Sequence, residues 1–272
     1  MNKKICPICS SALKESFTAT VIQKYEAVFA YCSACGFLCA EDPFFTEESY
    51  SSAIALTDTG LVARNIELSE RIAVLLYFLM GERGKGRYAD VAGGYGLLTR
   101  LMRDYGFDYY WADKYCKNIF ARGFEYTQET GICRAVTAIE VMEHTENPLE
   151  FIQEAFAFAR TDTLIFTTEL FEGDPPSPDE WWYYSFETGQ HISFFQKRTL
   201  QYIANKLNLN LFSHKSLHIF TERRINPIAY RLLASVTISH YLSWIPKRFM
   251  PSRIVSDQSE IKERNFGSDI NR

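Results

Sequence analysis

The sequence lacks several features that would assign it to common classes of protein. No stretch of its 272 residues is long and apolar enough to span a bilayer. Cysteines follow the basic start, where a secretory leader would have its apolar segment. The formal net charge is -4, whereas proteins that grip nucleic acid across a broad face usually carry a basic excess. These absences favour a cytoplasmic protein with no transmembrane segment and no nucleic-acid partner, and they leave open a local basic patch.

The composition and the order of patterns predict a packed α/β protein. Hydrophobic residues make up 47% of the chain and charged residues 23%, which allows a sizeable core. From residue 87 onward, β-branched or aromatic runs alternate with helical patterns, an order typical of a mostly parallel sheet covered by helices. The predicted divisions are a cysteine-rich module (1–43), a helical cap or linker (44–86), an α/β domain (87–226) and a helical tail (227–272). The tail pattern at 230–244 fits a helix packed on the domain, with a membrane-surface role as the alternative.

Four of the seven cysteines form two tight pairs, Cys6-Pro-Ile-Cys9 and Cys32-Ser-Ala-Cys35, and Gly36 follows the second pair. Two such turns supply four thiolates for a closed tetrahedral zinc site, and the intervening segment suits a β-ribbon. Because four sulfur ligands leave no open position, the zinc is predicted to be structural and to supply much of the folding free energy of so small a module. Free buried thiols and a redox dithiol are the alternatives, and the doubled spacing argues against both.

A glycine-rich turn, Asp90-Val-Ala-Gly-Gly-Tyr-Gly96, follows a predicted strand and precedes a predicted helix. Glycines at this place let the backbone approach a ligand at the carboxyl edge of a sheet. The turn lacks the Gly-Lys-Ser/Thr ending of a phosphate-binding loop, and Thr99 stands where a dinucleotide fingerprint has a third glycine. Asp113 ends the next strand, where a carboxylate can accept hydrogen bonds from both hydroxyls of a ribose. The alternative is an ordinary turn with a capping aspartate.

These residues resemble motif I of class I methyltransferases that use S-adenosylmethionine (SAM). Asp90, Gly94 and Gly96 fall on the motif, Ala92 replaces its first glycine, and Asp113 falls on the ribose-binding acid. The segments 138–149 and 191–195 resemble further motifs of the family. With the cysteine pairs, the chain is similar to the branch that has an N-terminal zinc-binding domain and includes sugar C-methyltransferases.

The resemblance implies a Rossmann-like class I methyltransferase sheet, mostly parallel with a closing antiparallel strand, beside a small zinc-ribbon module. The segment 123–131 is shorter and more polar than the family's third strand. The residue that contacts adenine is therefore not predicted.

The resemblance and the residue chemistry together give the candidate site residues. His191 is the candidate general base, because an imidazole of near-neutral pKa can take a proton from an acceptor; the alternative is a histidine that shapes its loop. Glu143 and His144 either face the acceptor or brace the loop. The candidate cofactor-binding residues are Asp90, Ala92, Gly93, Gly94, Tyr95, Gly96, Asp113, Glu140 near the amino group, and Arg64, whose alternative is a surface ion pair.

The leading functional interpretation is methyl transfer from SAM to a small-molecule acceptor, such as a nucleotide-linked or polysaccharide sugar. An RNA methyltransferase is one alternative, since a zinc ribbon can dock RNA, but the acidic balance counts against it. A binding protein that keeps the fold without the chemistry is the other alternative. The sequence predicts neither the acceptor, nor C-, O- or N-methylation, nor the oligomeric state.

Overall fold

A computed structural model describes residues 4–50 and 57–266 of the chain. In chain order the strands are β1 (Lys14–Val21), β2 (Tyr25–Tyr31), β3 (Leu38–Ala40), β4 (Arg87–Val91), β5 (Asp108–Ala112), β6 (Ala135–Ala138), β7 (Thr163–Thr167), β8 (Ser193–Phe194), β9 (Asn210–His214) and β10 (Leu217–Thr221). The helices are α1 (Thr46–Ser49), α2 (Leu61–Leu79), α3 (Leu97–Asp104), α4 (Pro148–Ala159), α5 (Lys197–Lys206), α6 (Pro227–Leu233), α7 (Val236–Leu242), α8 (Trp244–Phe249) and α9 (Ile254–Phe266).

The strands form two sheets, and the chain divides into two compact units. One sheet has the order β1-β2-β3-β8, and the other has the order β5-β4-β6-β7-β10-β9. Met1–Asp58 and Thr137–Arg224 make up one unit, which we call the ribbon unit. Thr59–Val136 and Ile225–Arg272 make up the other, which we call the loop unit. The boundary predicted at residue 43 stays a prediction.

The ribbon unit begins with the β-ribbon that the cysteine spacing predicts. β1 and β2 pair antiparallel from Lys14↔Tyr31 to Val21↔Tyr25, and β3 pairs antiparallel with both β2 and β8. The apolar side of this sheet packs against aromatic side chains from the later part of the same unit, among them Phe171, Tyr183, Tyr184 and Phe194. The ribbon therefore shares a core with residues that lie more than a hundred positions further along the chain.

The six-stranded sheet has the parallel and antiparallel pairs that the sequence predicts. β4 and β5 are parallel in the loop unit, in register from Arg87↔Asp108 to Val91↔Ala112. In the ribbon unit β10 runs antiparallel to both β7 and β9, which makes it the closing antiparallel strand. Next to β5, where the family has its third strand, the described residues retain only an isolated parallel bridge between Trp111 and Glu125.

The helices follow local signals except in the tail. Asn147 caps α4, and Pro148 occupies its first position, so the helix begins where the sequence predicts. The predicted helical segment 44–86 contains α1 and α2, and its residues 51–56 lie outside the described residues.

The tail pattern at 230–244 is not one helix. It is divided among α6, α7 and α8, because Ser235 takes an extended conformation between the first two. Across 4–50 and 57–266, the structure contains no helix with the length and apolarity that a bilayer crossing requires.

Candidate functional site

The four paired cysteines of the ribbon unit converge on one point. The Sγ atoms of Cys6 and Cys35 lie 3.6 Å apart, and those of Cys9 and Cys32 lie 3.3 Å apart. All four sulfur atoms lie within 4.8 Å of one another. Four thiolates bound at ~2.3 Å to one tetrahedral zinc ion are about 3.8 Å apart. The described geometry therefore fits a closed zinc site with four cysteine ligands and little movement of the side chains.

The turns that carry the cysteines are held by α5 and the residues before it. Gly36 has a φ of +81°, and a Cβ atom there would lie 2.3 Å from Oε1 of Gln196, so only glycine fits the turn. Arg198 donates to the carbonyl oxygen of Ser33 at 3.0 Å, and Lys206 donates to that of Ile8 at 2.8 Å. Both cysteine turns are thus anchored to the same helix, which fixes the four sulfur atoms relative to each other.

Cys39 is close to the zinc site in sequence but belongs to the core. Its side chain is buried in β3, and burial raises the pKa of its thiol to about 12. A thiol with that pKa stays protonated at neutral pH, so Cys39 is a packed core residue outside the ligand set.

The ribbon sheet also positions the segment that carries His191. β3 begins three residues after Cys35, and Cys39 pairs with Ser193 of β8. The N–H of Ala40 donates to the carbonyl oxygen of Ile192 at 2.8 Å. His191 therefore closely precedes a strand that is part of the cysteine-bearing sheet. Loss of the ribbon would remove this support from His191. The sequence pattern did not reveal the link between the ribbon and His191.

The predicted cofactor residues of the loop unit surround the end of β4. The N–H of Gly94 donates to Oδ2 of Asp113 at 3.0 Å, so the turn and the acid at the tip of β5 are in direct contact. Oδ1 of Asp113 accepts from the N–H groups of Tyr115 and Cys116 at 2.7 and 2.8 Å. These three bonds fix the orientation of the carboxylate and leave one lone-pair position, on Oδ2, for a further donor.

Glycine is required at some positions of the turn and absent at another. Gly96 has a φ of +85°, and a Cβ atom there would lie 2.7 Å from Oδ1 of Asn118. Gly94 has a φ of +53° but open space where its Cβ would stand. Ala92 has a φ of +52°, a left-handed conformation that costs a residue with a Cβ atom roughly 1–2 kcal/mol. The glycine that the family has at this position would avoid that cost. The replacement by Ala92 therefore strains the backbone of the turn.

The remaining residues of the turn hold it in place. Asp90 is buried at the end of β4 and accepts from Oγ1 of Thr99 in α3 at 3.5 Å. Gly93 donates to the carbonyl oxygen of Ala112 at 3.1 Å, and the carbonyl oxygen of Tyr95 accepts from Ile119 and Phe120. The turn is thus bonded to β5 and to the segment after it.

Two further cofactor candidates belong to other segments of the chain. Arg64 is exposed in the first turn of α2, and its Nη1 would be 3.1 Å from a Cβ atom added at Gly60. Glu140 belongs to the ribbon unit, two residues after β6, and has a φ of +54°. Its N–H donates to Oγ1 of Thr167, which in turn donates to its Oε1, both at 2.8 Å. The roles predicted for Arg64 and Glu140 stay predictions.

Glu143, His144 and His191, which we call the Glu/His cluster, come together in the ribbon unit. One ligand atom from each side chain lies within 4.8 Å of those of the other two. The rings of His144 and His191 have centroids 5.0 Å apart at an interplanar angle of 77°. The N–H of Ile192 donates to the carbonyl oxygen of Glu143 at 2.8 Å, which ties the two segments together.

Glu143 is the most unusual member of the cluster. Its side chain is 0% exposed, and within 4–50 and 57–266 neither carboxylate oxygen has a hydrogen-bond partner. Burial raises the pKa of this carboxyl well above its ordinary value, and the negative charge of Glu140 raises it further. An unpaired buried carboxylate is costly, so this group is a candidate for binding something that the chain alone does not supply.

The two histidines are oriented through their Nδ1 atoms. Nδ1 of His191 lies 2.6 Å from the carbonyl oxygen of Tyr183 and can only donate to it, which places the lone pair of that imidazole on Nε2. Nδ1 of His144 lies 2.7 Å from the hydroxyl of Tyr50. Burial lowers the pKa of His144 to about 3, and the neighbouring His191 adds to this effect. His144 is therefore neutral at physiological pH.

Tyr50 and Tyr183 complete this cluster, and no sequence motif indicates either of them. Tyr50 is separated from His144 by 94 positions, and no local pattern joins them. The carbonyl oxygen of Tyr183 fixes His191, and the centroid of the Tyr183 ring lies 4.7 Å from that of the imidazole. Only the folded chain brings these groups together, since neither belongs to a motif with fixed spacing.

Comparison with protein families gives a match that covers more than half of the chain. The family described as "Methyltransferase domain" matches residues 64–214, which include the glycine turn, Asp113 and the Glu/His cluster. Comparison with curated proteins gives no match.

Solved structures resemble the chain at low sequence identity. TnmH is 13% identical with a TM-score of 0.43 and covers 61% of this chain and 57% of its own. An O-methyltransferase family 2 protein from Planctomyces limnophilus, in complex with apigenin, is 13% identical with a TM-score of 0.41 and 66% coverage of both chains. CalO1, a methyltransferase in calicheamicin biosynthesis in its SAH-bound form, is 12% identical with a TM-score of 0.40, covering 67% of this chain and 60% of its own.

The chain thus spans about 57–66% of the length of these three structures. Their TM-scores are too low to carry an argument about substrate, and the family assignment depends on the match over 64–214. That match includes the turn at β4 and the strand-tip acid that the motif analysis singled out. The chain belongs to the class I SAM-dependent methyltransferases.

Proposed function

We propose that the protein transfers the methyl group of SAM to a small-molecule acceptor, and that the loop unit binds the donor. The contact between the N–H of Gly94 and Asp113 carries the proposal. It joins the turn after β4 to the acid after β5, and these two strands are parallel neighbours whose carboxyl ends lie at the same edge. A nucleoside whose ribose is bound by Asp113 would lie against the glycine backbone.

The chemistry asks little of the protein beyond positioning. SAM carries an already activated methyl group, so the chain mainly has to orient the two reactants and exclude water. An acceptor that must lose a proton as it attacks needs a group to assist that loss. We assign this role to the Glu/His cluster, where the bond from Nδ1 of His191 to the carbonyl oxygen of Tyr183 directs the lone pair of Nε2 away from that partner.

The cysteine site has a structural role in this proposal. A zinc ion held by Cys6, Cys9, Cys32 and Cys35 stabilises the ribbon, and the ribbon holds β8 and the preceding His191. The zinc ion completes its coordination with four sulfur atoms and takes no part in the reaction. Reduced thiolate ligands suit a reducing compartment such as the cytoplasm, where we place the protein.

The acceptor that we favour is a sugar, free or linked to a nucleotide. The cysteine pairs together with the Asn147-Pro148 and His191 segments support this choice, because the branch with an N-terminal zinc-binding domain includes sugar methyltransferases. Trp182 is 76% exposed, and Trp181 is half-buried beside it, so an aromatic face is available for stacking on a sugar. An RNA acceptor is less consistent with the net charge of -4.

Isothermal titration calorimetry with SAM and with its demethylated product tests donor binding. We expect both to bind the wild type, and Asp113→Asn to weaken binding by about 10- to 100-fold, the worth of hydrogen bonds to a charged group. Asp104→Asn changes a half-exposed carboxylate in the same unit and serves as the matched control. Failure of the wild type to bind either compound would reject the enzyme and favour a fold without chemistry.

Transfer of a radiolabelled methyl group tests the acceptor. Nucleotide sugars and polysaccharide fragments are compared with total RNA under the same conditions, and filter binding to RNA at physiological salt accompanies the assay. We expect label in the sugar fraction alone. Label in RNA, with retention of RNA on the filter, would replace the small-molecule acceptor by the RNA alternative.

A further inference from the structure

We propose that the Glu/His cluster binds a divalent first-row transition-metal ion through Glu143, His144 and His191, at a site distinct from the cysteine site. Two imidazoles and one carboxylate form a ligand set that suits such ions, whereas Mg²⁺ and Ca²⁺ prefer oxygen ligands throughout. All three residues belong to the ribbon unit.

The distances among the three side chains fit one ion. Ligand atoms about 2.1 Å from a common ion lie about 3.0 to 4.2 Å from each other, depending on the angle between them. Nε2 of His144 lies 4.0 Å from Oε1 of Glu143, and the ligand atoms of all three residues lie within 4.8 Å of one another. Small changes in side-chain rotation would close the site.

The carboxylate of Glu143 gives independent support. It is completely buried, and in the part of the chain that the structure describes neither oxygen accepts a hydrogen bond of good geometry, although the nearby hydroxyl of Tyr183 offsets a small part of the cost of burial. Two other carboxylates, Glu140 and Glu169, act on it electrostatically and add negative charge. A buried acid surrounded by further acids is unfavourable without a cation, and a bound divalent ion supplies the missing charge and the missing partner.

The groups behind the imidazoles have the arrangement found around metal ligands. A histidine that binds a metal almost always donates its other ring nitrogen to an oxygen acceptor, which fixes the ring. The carbonyl oxygen of Tyr183 lies 2.6 Å from Nδ1 of His191, and the hydroxyl of Tyr50 lies 2.7 Å from Nδ1 of His144. His191 can only donate through Nδ1, which leaves its lone pair on Nε2. His144 presents Nε2 in the same way in the tautomer whose Nδ1 donates to the Tyr50 hydroxyl.

Three protein ligands leave coordination positions for an acceptor. With an ion bound, Nε2 of His191 would be a ligand and no longer a base, and the ion would instead make an acceptor hydroxyl in one of these positions easier to deprotonate. This step depends on the proposed methyl transfer and specifies O-methylation, whereas the metal site does not depend on it.

Titration of the zinc-loaded full-length protein with Co²⁺ tests the site. Co²⁺ held by nitrogen and oxygen gives ligand-field absorption bands without the intense charge-transfer band of a cobalt–thiolate bond, so the spectrum distinguishes the cluster from the cysteine site. We expect one equivalent of such binding in the wild type. Glu143→Gln and His191→Asn should abolish it, and Tyr50→Phe should weaken it by about tenfold, the usual effect of removing a group behind a ligand.

The controls separate the metal site from folding and from the proposed function. His240→Asn removes an exposed histidine in the loop unit, and Co²⁺ binding should not change. Circular dichroism and calorimetry with SAM on each variant report the fold and the donor site. Absence of the bands in the wild type, a thiolate charge-transfer band alone, or equal binding by Glu143→Gln would overturn the proposal. Co²⁺ binding by a protein that fails to bind SAM would reject the methyltransferase and keep the metal site.

Discussion

The strongest test of the packing in the loop unit is Asp257→Asn in α9. The carboxylate of Asp257 accepts from Nε of Arg103 at 2.8 Å through Oδ2 and from Nη2 at 2.7 Å through Oδ1. The two side chains are 3% and 1% exposed. Arg103 belongs to α3, the helix that begins directly after the glycine turn, so this pair connects the C-terminal helix to the element behind the cofactor residues.

The expected loss follows from what the substitution leaves behind. Removing one partner of a buried ion pair costs about 3–5 kcal/mol, because the other charge stays buried without compensation. Arg103 is not left entirely alone, because it retains Oδ1 of Asp108 at 3.3 Å and the carbonyl oxygen of Tyr109 at 2.8 Å, and it lies 3.5 Å from the centroid of the Phe124 ring. We therefore expect a loss near the lower limit, about 3 kcal/mol in the free energy of unfolding.

Urea unfolding at pH 7 of the zinc-loaded protein, followed by circular dichroism, measures this loss. Asp104→Asn is the matched control, since Asp104 pairs with Arg100 on the same helix but is 37% exposed. An exposed pair of this kind contributes about 0.3–0.5 kcal/mol. If Asp257→Asn cost no more than that control, the buried pair would not stabilise α9 and the reasoning would be refuted.

The same pair predicts a dependence on pH. Burial by itself raises the pKa of Asp257, but the guanidinium groups of Arg103 and Arg100 outweigh it and hold the pKa below its ordinary value. Because the folded pKa is the lower one, the stabilisation is complete above the unfolded value of about 3.9 and is lost as the pH falls toward the folded value. The difference between wild type and Asp257→Asn should shrink below about pH 4.

Three further variants test the ribbon and the glycine turn. Cys35→Ser should lose its zinc, measured by elemental analysis, and should speed hydrogen exchange in β1, β2 and β3 without changing SAM binding; retained zinc would contradict the four-cysteine site. Ala92→Gly should raise the free energy of unfolding by about 0.5 kcal/mol, since relief of ~1–2 kcal/mol of left-handed strain exceeds the added chain entropy. Gly96→Ala should weaken SAM binding by about tenfold in calorimetry, because its Cβ would lie 2.7 Å from Oδ1 of Asn118; unchanged affinity would remove the turn from the donor site.

The parts of the fold that sequence could predict are those with local causes. The bounds of α4 follow from Asn147, Pro148 and an apolar periodicity within a single segment. The β9–β10 pair follows from two β-branched or aromatic runs on either side of Lys215, which has a φ of +51° in the turn. The cysteine ribbon could be predicted from the two CxxC pairs, because their spacing indicates both the four ligands and the hairpin between them. In each case the decisive residues are near neighbours in the chain.

The parts that sequence could not predict depend on contacts between distant residues. Asp257 and Arg103 are 154 positions apart, and nothing in the tail pattern indicates that a carboxylate there enters the core. β8 has only two residues, too few for a strand pattern, yet it joins the ribbon sheet next to His191. The isolation of the Glu143 carboxylate is likewise a property of its surroundings, because the residue itself looks like any acid in a polar motif.

Two strained backbone positions lie at candidate site residues, one in each unit. Ala92 follows β4 with a φ of +52°, and Glu140 follows β6 after one residue with a φ of +54°. Such conformations cost ~1–3 kcal/mol and persist only where neighbouring bonds impose them. The bond from Gly93 to the carbonyl oxygen of Ala112 imposes the first, and Thr167, bonded to both the N–H and the side chain of Glu140, imposes the second.

Gln23 and Arg160 also have positive φ, but they lie in a hairpin turn and at a helix end, where such geometry is routine. At the ends of β4 and β6 a glycine would adopt the same positive φ at a lower cost in conformational free energy. At Glu140 the side chain has a visible effect, because its carboxylate acts electrostatically on Glu143 of the Glu/His cluster. At Ala92 the side chain is only a methyl group, which adds no chemistry to the site. The Ala92→Gly and Glu140→Gly variants therefore separate backbone strain that serves the site from backbone strain that the fold merely tolerates.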